Sequence, residues 1–310
     1  MRPEPSGRVR ATVVRATVVR AEDAPGPTLV VGLDQLPVGA LASADELAYL
    51  RQVLADTPYR DLHKIALYGP PARPGAHLDY RFVQALPAGR FDFRTGCGHS
   101  LLACVVADGR TGPVTVRAVT TGDTVLCEPE PDVTAPHAPT HAHTLSFLRA
   151  PTAPGTLPTG RPLDVLGGVP VSIVRYGNPY VFVDARHLPE PALQEQALLH
   201  LRAHAARLLG HPPHSPLPKI ATFARTRDGL AVRALTVGGW HPRLALTGAA
   251  ALAAAGAIDG TVVPGPVSTV RTPGGGTVTV SAARDRVSVH RKRAHVLARL
   301  DLPWRIHATA

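Results

Sequence analysis

The chain has few of the residues that mark several common classes of protein. Its 310 residues include three cysteines, and these form no CxxC pair and no disulfide framework. The longest apolar run, 244–258, is too short to span a membrane. The first ten residues contain no apolar segment of the kind that a signal peptide needs. We therefore expect a soluble, cytoplasmic protein in a reducing compartment, with no membrane contact.

The charge excludes little by itself. A net charge of +10 suits a nucleic-acid partner or a small anionic ligand. The basic residues are spread along the chain apart from 284–293, and no RNP or zinc-finger pattern accompanies them. Val287 and Val289 alternate with charged residues there, which predicts a solvated strand. With 45% hydrophobic and 18% charged residues, we expect a globular protein without a nucleic-acid partner.

Hydrophobic patterns predict two similar halves of mixed α and β structure. The Pro-, Thr- and His-rich stretch 128–160 predicts a boundary, giving domains 1–160 and 161–310. In each half, strands lead through a turn into a short apolar helix. These segments are GCGHSLLACVVADG, from residue 96, and LTGAAALAAAGAIDG, from residue 246. Two such helices aimed at one cleft would present backbone N–H groups to an anion.

Local signals define several other elements. Ser43 and Glu46 form a capping-box pattern that predicts the start of a helix. Gly109 stands where a left-handed helix cap is expected, and 190–210 predicts an amphipathic helix. A strand followed by a Thr-Gly turn is predicted before the Ala-rich helix of the second half. The glycines of 272–280 indicate a hairpin turn rather than a phosphate loop.

Cys97 stands at the start of the first apolar helix, between two glycines. A helix N-terminus stabilises a thiolate, and His99 would lower the pKa of the thiol further. A thiol that titrates near neutrality can take or give a proton. The alternative is a small buried hydrophobic residue, which is our interpretation of Cys104 and Cys127.

Lys64 lies in the apolar strand HKIALYG. If its side chain enters a cleft, burial lowers its pKa and lets the amine act as a base. If it points outward, it is an ordinary surface lysine. Lys219, in PKIATFA, follows the same logic and is interpreted as structural or as a carboxylate partner.

Three histidines, His137, His141 and His143, suggest a metal site, but no Cys, Asp or Glu completes a ligand set nearby. We interpret this segment as a proline-rich connection and predict no metal. The chain also has no nucleophile elbow and no Ser-His-Asp order.

Five ordered motifs resemble the PrpF family of aconitate and methylaconitate isomerases, which has the diaminopimelate-epimerase fold. They are HKIALYG (63–69), GCGHSLLACVVADG (96–109), LPTGRPLDVL with VPVSIVRYGNPYVFVDA (157–185), PKIATFA (218–224) and HPRLALTGAAALAAAGAIDGTVV (241–263). The resemblance spans nearly the whole chain. It implies an α+β protein of two similar domains, each a curled, mostly antiparallel sheet around a central helix, with the active site between them.

The resemblance also implies chemistry without a cofactor. A proton leaves carbon next to a carboxylate or vinylogous carboxylate, and a proton returns elsewhere. Lys64 and Cys97 fall on the family's proposed acid–base pair, and His99 stands beside them. The positions that fall on its substrate cleft are Asn178, His241, Thr247 and Gly248.

Other positions depart from the family pattern. His99 replaces the usual Asn, and Ala251 stands for the thiol often found in the second helix. The segment RAEDAPG, 20–26, replaces an Arg-Gly-Gly-Thr-Ser segment, and Arg175 replaces an Asp. These changes put the usual tricarboxylate substrate in doubt.

We therefore predict an isomerase that shifts a double bond or proton on an unsaturated carboxylate, as a tailoring step in bacterial specialised metabolism. Backbone N–H groups at 98–100 and 248–250 would stabilise the dienolate. The remaining predicted substrate-binding positions are Gly98, Ser100, Arg20, Arg175 and Lys219. Two alternatives stay open: an epimerase or cyclase, and a catalytically inert binding protein. The partner is a small carboxylate, and the protein is a monomer or homodimer.

Overall fold

The computed structural model describes residues 13–36, 40–87, 89–131, 142–212, 215–236 and 239–303. The first half contains β1 (Val13–Ala21), β2 (Thr28–Gly32), α1 (Ala40–Leu54), β3 (Lys64–Gly69), β4 (Leu78–Ala85), β5 (Phe91–Asp92), α2 (Gly98–Asp108), β6 (Val114–Ala118), β7 (Asp123–Pro129) and β8 (Ala142–Phe147). The second half contains β9 (Asp164–Leu166), β10 (Val169–Tyr176), β11 (Asn178–Asp184), α3 (Gln194–Leu208), β12 (Lys219–Thr226), β13 (Gly229–Thr236), β14 (Gly239–Trp240), α4 (Leu246–Gly256), β15 (Thr269–Arg271), β16 (Thr277–Ala282) and β17 (Val287–Pro303).

The first sheet closes on itself. Its pairings run β1–β2–β3–β4–β6–β7–β8–β17 and return to β1, so that each of these strands has at least two neighbours. The pairs β2–β3 and β4–β6 are parallel, and the other pairs in this cycle are antiparallel. Helix α2 packs against β1, β2, β3 and β17, and so fills the curled sheet.

The second half repeats this order of elements. The pair β11–β12 is parallel, like β2–β3, and encloses an outer helix, α3 in place of α1. The pair β13–β15 is parallel, like β4–β6, and encloses the inner helix α4 in place of α2. The two similar halves and the α+β class predicted from the sequence are confirmed.

The composition of each helix explains its place. Every residue from Leu246 to Ala255 of α4 is buried, and α2 is buried on nearly all sides, which is typical of a central helix. The two inner helices and the inner faces of both sheets form one continuous apolar core. Helices α1 and α3 each bury one face in a separate outer core. The halves are therefore joined by shared packing as well as by the chain.

Two details of the sequence prediction are wrong. Helix α1 begins at Ala40, so Ser43 lies inside it and does not cap it. Helix α4 begins at Leu246, which places Thr247 and Gly248 in its first turn, and no strand covers 241–245. The boundary at residue 160 stays a prediction, and β17, from beyond that boundary, pairs with β1 and β8 of the first sheet. Strand pairing over this distance leaves no local signal.

Two other details, the cap at Gly109 and the hairpin turn at 272–276, are confirmed. Gly109 has a φ of 78° and caps α2 in the left-handed conformation. The turn at 272–276 joins β15 and β16 as an antiparallel hairpin. His143 lies in β8, whereas His137 and His141 fall outside the described residues. The described residues contain no group of side chains that could hold a metal ion, and none of their helices is long and apolar enough to cross a membrane.

Candidate active site

Both inner helices begin at one cavity of about 520 Å³. Cys97 is the N-cap of α2, and Ala245 is the N-cap of α4; both line the cavity. The two strands that follow the outer helices also begin there. The predicted site residues that line this cavity are Lys64, Cys97, His99, Asn178, Lys219 and His241. The structure therefore brings together both members of the predicted acid–base pair.

Lys64 is the first residue of β3 and is only 5% exposed. Burial lowers the pKa of its ammonium group, and the charge of Arg20 lowers that pKa further, whereas the charge of Cys97 raises it. A lysine with a lowered pKa has more of the neutral amine near neutral pH, and the neutral amine is the form that accepts a proton. Lys64 thus has the environment of a base, and its pKa depends on the charge of the Cys97 thiol.

Cys97 is half-buried and has extended backbone dihedrals, with φ −141° and ψ 109°. Its carbonyl accepts hydrogen bonds from the Leu101 N–H (3.0 Å) and from the Tyr80 hydroxyl (2.8 Å). The N–H groups of residues 98–100 precede that first intrahelical bond, and a helix leaves such groups without an acceptor of its own. The thiol therefore stands beside three N–H donors at the positive end of α2.

His99 is 2% exposed, and its Nε2 has no hydrogen-bond partner among the described residues. Burial lowers the pKa of His99 well below its usual range, and the charges of Lys64, Lys292 and His241 add to this effect. The imidazole is therefore neutral at pH 7. It carries no charge with which to stabilise a Cys97 thiolate, contrary to the expectation from sequence. Its Nε2 is available to a ligand in the cavity.

Asn178 connects the two halves directly beside the thiol. Its Oδ1 accepts from the Gly96 N–H at 2.8 Å, and its Nδ2 donates to the Gly96 carbonyl at 2.9 Å. The preceding Gly177 has a φ of 68°, and a Cβ there would lie 2.7 Å from Thr247 Cγ2. The Asn178 amide thus hydrogen-bonds both backbone groups of Gly96, as a neighbouring strand would. It thereby holds the position of the residue that precedes Cys97.

The second half contributes a lysine and a histidine. Burial lowers the pKa of Lys219 to about 8, with a further lowering by Arg202, while Asp92 and Cys97 oppose the shift. Burial also lowers the pKa of His241. The Nδ1 of His241 accepts from the Arg243 N–H at 3.0 Å, so its neutral form carries the proton on Nε2.

The start of α4 differs from the start of α2. The N–H groups of Gly248 and Ala249 both donate to the Ala245 carbonyl, at 2.8 and 3.0 Å. These groups are therefore not available to an oxyanion, which corrects the prediction for 248–250. Gly248 instead packs under Tyr180, whose ring would lie 2.9 Å from a Cβ at that position.

The other predicted site residues do not line the main cavity. They are Arg20, Gly98, Ser100, Arg175, Thr247 and Gly248. Arg175 lines a second cavity of about 290 Å³ instead, together with Arg94 and His211, and its Nη2 donates to the Thr121 carbonyl at 2.8 Å. This cavity shares Asn178 with the main one.

Sequence reasoning missed most of the cavity wall. Phe82, Gln84, Leu86 and Tyr180 line it, and so do four prolines. The sequence analysis also identified Ala251 as the residue that replaces the family's second thiol, but Ala251 is completely buried in the second turn of α4. By its place in the fold, the counterpart of Cys97 is Ala245. The repeated order of strands and helices in the two halves was the signal that could have identified Ala245 as this counterpart.

Comparison with known proteins gives relatives of the predicted kind. The chain is 28% identical over 244 residues to 4-oxalomesaconate tautomerase of Pseudomonas putida, which covers 66% of this chain and 68% of that protein. It is 28% identical over 269 residues to a protein named "Putative isomerase YbhH" of Escherichia coli, covering 73% of this chain and 75% of that one. No family model matches the chain.

Solved structures share the fold. Methylitaconate-delta-isomerase has a TM-score of 0.67 at 20% identity, over 93% of this chain and 95% of that one. A probable proline racemase from Agrobacterium radiobacter has a TM-score of 0.55 at 16% identity, over 93% and 92%. The resemblance read from the motifs and the epimerase-like fold are confirmed, and with them the isomerase class of enzyme and a small-molecule substrate.

Proposed function

With an enzyme of the isomerase class and this fold as the premise, we propose that the protein moves a proton, and with it a double bond, on an unsaturated carboxylate without a cofactor. One observation carries the proposal: a buried amine with a lowered pKa and a thiol at a helix N-terminus line the same cavity. These two groups supply a base and an acid for two different carbons of one substrate.

The reaction has two proton transfers. The neutral Lys64 amine takes a proton from the carbon next to the carboxylate, and the C–H electron pair enters a dienolate. The Cys97 thiol then gives its proton to the far carbon of that system, and the double bond moves by one position. The products are an ammonium group, a thiolate and the isomerised acid. A proton passes from the ammonium to the thiolate, directly or through solvent, before the next turnover.

Electrostatic stabilisation of the dienolate comes from the first half. Of the three N–H groups at the start of α2, that of His99 belongs to a residue that lines the cavity with Cys97, and a donor fixed in this way lowers a barrier most where charge develops. Lys219 is protonated for the most part at pH 7, since its pKa is about 8, and it pairs with the substrate carboxylate. The His99 Nε2 and the His241 Nε2–H hydrogen-bond to the same substrate.

The second half argues against a two-thiol epimerase. Such an enzyme needs an acid–base group on each face of one carbon, and the counterpart of Cys97 is Ala245. The wall opposite the thiol therefore offers no second thiol. We also propose that the reaction belongs to bacterial specialised metabolism in the cytoplasm. Arg175, predicted as a substrate-binding residue, lines another cavity, which supports a substrate other than the usual tricarboxylate.

Proton NMR in deuterated water tests the proposal. The protein is incubated with cis-aconitate and with simpler β,γ-unsaturated acids, and deuterium entry into carbon or a shifted alkene signal is measured. We expect exchange that falls by at least about 100-fold in Cys97→Ser and in Lys64→Met, the contribution typical of general acid–base groups. Cys127→Ser, at a buried position on β7 outside the cavity, is the matched control. Exchange that survives both cavity substitutions contradicts the mechanism.

A further inference from the structure

The cationic side chains of the cavity are an unusual selection from this chain. Only three of its 33 lysine and arginine residues are lysines, yet two of those three, Lys64 and Lys219, line this cavity. No arginine, aspartate or glutamate is among its described lining residues. Arginine holds carboxylates by a planar, bidentate fork, whereas lysine is a point charge whose pKa shifts on burial. The cavity therefore has proton-transfer groups and lacks a guanidinium clamp.

The charge inside the cavity at neutral pH is small. Burial lowers the pKa of both His99 and His241, so both rings are neutral. Lys64 is neutral when it acts as the base. Of the two lysines among the described lining residues, Lys219, with a pKa of about 8, is then the one that stays protonated. A second or third carboxylate on the substrate would lose its hydration without a cationic partner, which is costly in an enclosed site.

Three other cations lie near the cavity but are not among its lining residues. Arg20 lies close enough to lower the pKa of Lys64, but it does not line the cavity. Lys292 is 4% exposed and forms an ion pair with Asp23, whose Oδ2 lies 3.1 Å from its Nζ. Arg243 faces the same aspartate at 3.6 Å. The Asp23 carboxylate therefore offsets one of these two positive charges behind this part of the site.

Apolar side chains and four prolines make up much of the remaining wall, which also includes the polar residues His63, Gln84 and Thr95. Phe82 and Leu235 are 4% and 3% exposed, and Leu86 is half-buried beside them. The prolines of the wall are Pro25, Pro87, Pro216 and Pro242. Its volume of about 520 Å³ lies within the range of cavities that enclose drug-sized molecules. Such a wall favours an apolar body that is larger than the reacting three-carbon unit.

We propose that the substrate is a monocarboxylate with an apolar body, an aryl or branched alkyl group, rather than a di- or tricarboxylate. The carboxylate pairs with Lys219 at the start of β12. The apolar body packs against Phe82, Leu86 and Leu235. This inference rests on the proposed function for the position of the reacting carbons, but the binding preference stands on the wall alone.

Two acids that differ only at one end test it. Both 4-phenylbut-3-enoate and hex-3-enedioate contain a carboxylate, a CH₂ group and a C=C bond, and the second has a CH₂-carboxylate where the first has phenyl. Calorimetry gives the Kd of each, and NMR in deuterated water gives exchange at the CH₂ group. We expect the phenyl acid to bind at least about tenfold more tightly, a difference of about 1.4 kcal/mol. Equal or tighter binding of the diacid, or no binding of either, overturns the inference.

The two readouts separate this inference from the proposed function. Tight binding of the phenyl acid without exchange sustains the substrate class and contradicts the isomerase mechanism. Exchange of the diacid at a rate equal to that of the phenyl acid sustains the mechanism and overturns the substrate class.

A charge placed in the wall provides a second test. Leu86→Arg supplies a guanidinium where the apolar body packs, so we expect the preference for the phenyl acid to fall by about tenfold or more, with tighter binding of the diacid. Val165→Arg, at a 65% exposed position on β9, is the matched control and leaves the preference unchanged. If Leu86→Arg folds and the preference stays the same, the apolar body does not lie against this wall.

Discussion

Lys64 and Lys219 occupy the same place in the two halves of the molecule. Each is the first residue of the strand that follows an outer helix, and each of these strands pairs in parallel with the strand before that helix. Both side chains line the main cavity. The site is therefore pseudo-symmetric in its amines. It is asymmetric at the starts of the two inner helices, because the N-cap of α2 is Cys97 and the N-cap of α4 is Ala245.

Replacing Lys219 with methionine should stabilise the fold at neutral pH. The pKa of Lys219 is lowered from 10.5 to about 8, so the unfolded chain binds a proton more tightly than the folded chain. At any pH below about 10.5 the lowered pKa of Lys219 therefore reduces the free energy of unfolding. This reduction reaches its full value below about pH 8. For Lys219→Met we expect a gain in unfolding free energy of up to about 3 kcal/mol at pH 7, falling to about 1.5 kcal/mol at pH 9.5.

Urea denaturation at the two pH values measures this difference. Lys219→Arg, which keeps the charge, is the control and gains nothing at pH 7. A gain for Lys219→Met that does not change between pH 7 and pH 9.5 would show that packing, and not proton linkage, is its cause.

Arg20 should set the pH dependence of the reaction through Lys64. Its charge lowers the pKa of Lys64, and the reaction needs the neutral amine, so the rate rises as pH passes that pKa. In Arg20→Gln that pKa rises and the rising limb of the pH–rate profile moves to higher pH. The rate at pH 7 falls while the alkaline plateau persists.

Arg15→Gln is the control, because Arg15 is exposed on the same strand. An unshifted profile with a higher KM in Arg20→Gln would instead indicate that Arg20 binds the substrate carboxylate, as the sequence analysis proposed.

Gly98 is where the two inner helices touch. A Cβ at this position would lie 2.5 Å from Leu246 Cδ2 and 2.9 Å from Leu246 Cβ. We expect Gly98→Ala to destabilise the fold by about 1–3 kcal/mol, although alanine is the better helix former. A double-mutant cycle with Leu246→Ala should give a favourable coupling of about 1 kcal/mol or more, because the smaller side chain makes room.

Gly112→Ala is the matched control, since a Cβ there meets nothing within 4 Å, and it should change stability by less than about 0.5 kcal/mol. Equal effects at the two glycines would contradict close contact between the helix starts.

Asn178 should matter for both stability and activity. Asn178→Ala removes both hydrogen bonds to Gly96 and leaves the Gly96 N–H and carbonyl without these partners, a loss of about 2–3 kcal/mol. Because Gly96 precedes Cys97, the exchange rate should fall as well. Chemical denaturation and NMR exchange measure the two effects.

Gln196→Ala, at an exposed position on α3, is the control. An Asn178→Ala protein with full activity would show that Cys97 is held in place without the amide.

Local signals were sufficient for some of the site. Cys97 and Gly109 were placed correctly at the two ends of α2, because glycine and helix caps act over only a few residues. The orientation of Lys64 could not be read in this way. Strand β3 is buried on both faces, so its side chains do not alternate between polar and apolar, and only the fold decides which face meets the cavity.

Long-range contacts account for what the sequence could not predict. The two acids of RAEDAPG suggested a weakened carboxylate anchor, but Asp23 pairs with Lys292 and Arg243, which lie far along the chain. The neutral state of His99 depends on burial among elements from both halves. The wall residues Phe82 and Tyr180 come from strands 98 residues apart and meet only when both sheets have curled.

The pairing of β17 has a consequence for synthesis on the ribosome. This strand, residues 287–303, lies between β8 and β1 and completes the first sheet. The segment that carries Lys64 and Cys97 leaves the ribosome early, but its sheet keeps an open gap until residue 303 has emerged. Strand edges exposed for that long invite pairing with other chains. The edges of β1 and β8 therefore stay unpaired with β17 through most of synthesis, and truncation within 287–303 should abolish folding of both halves together.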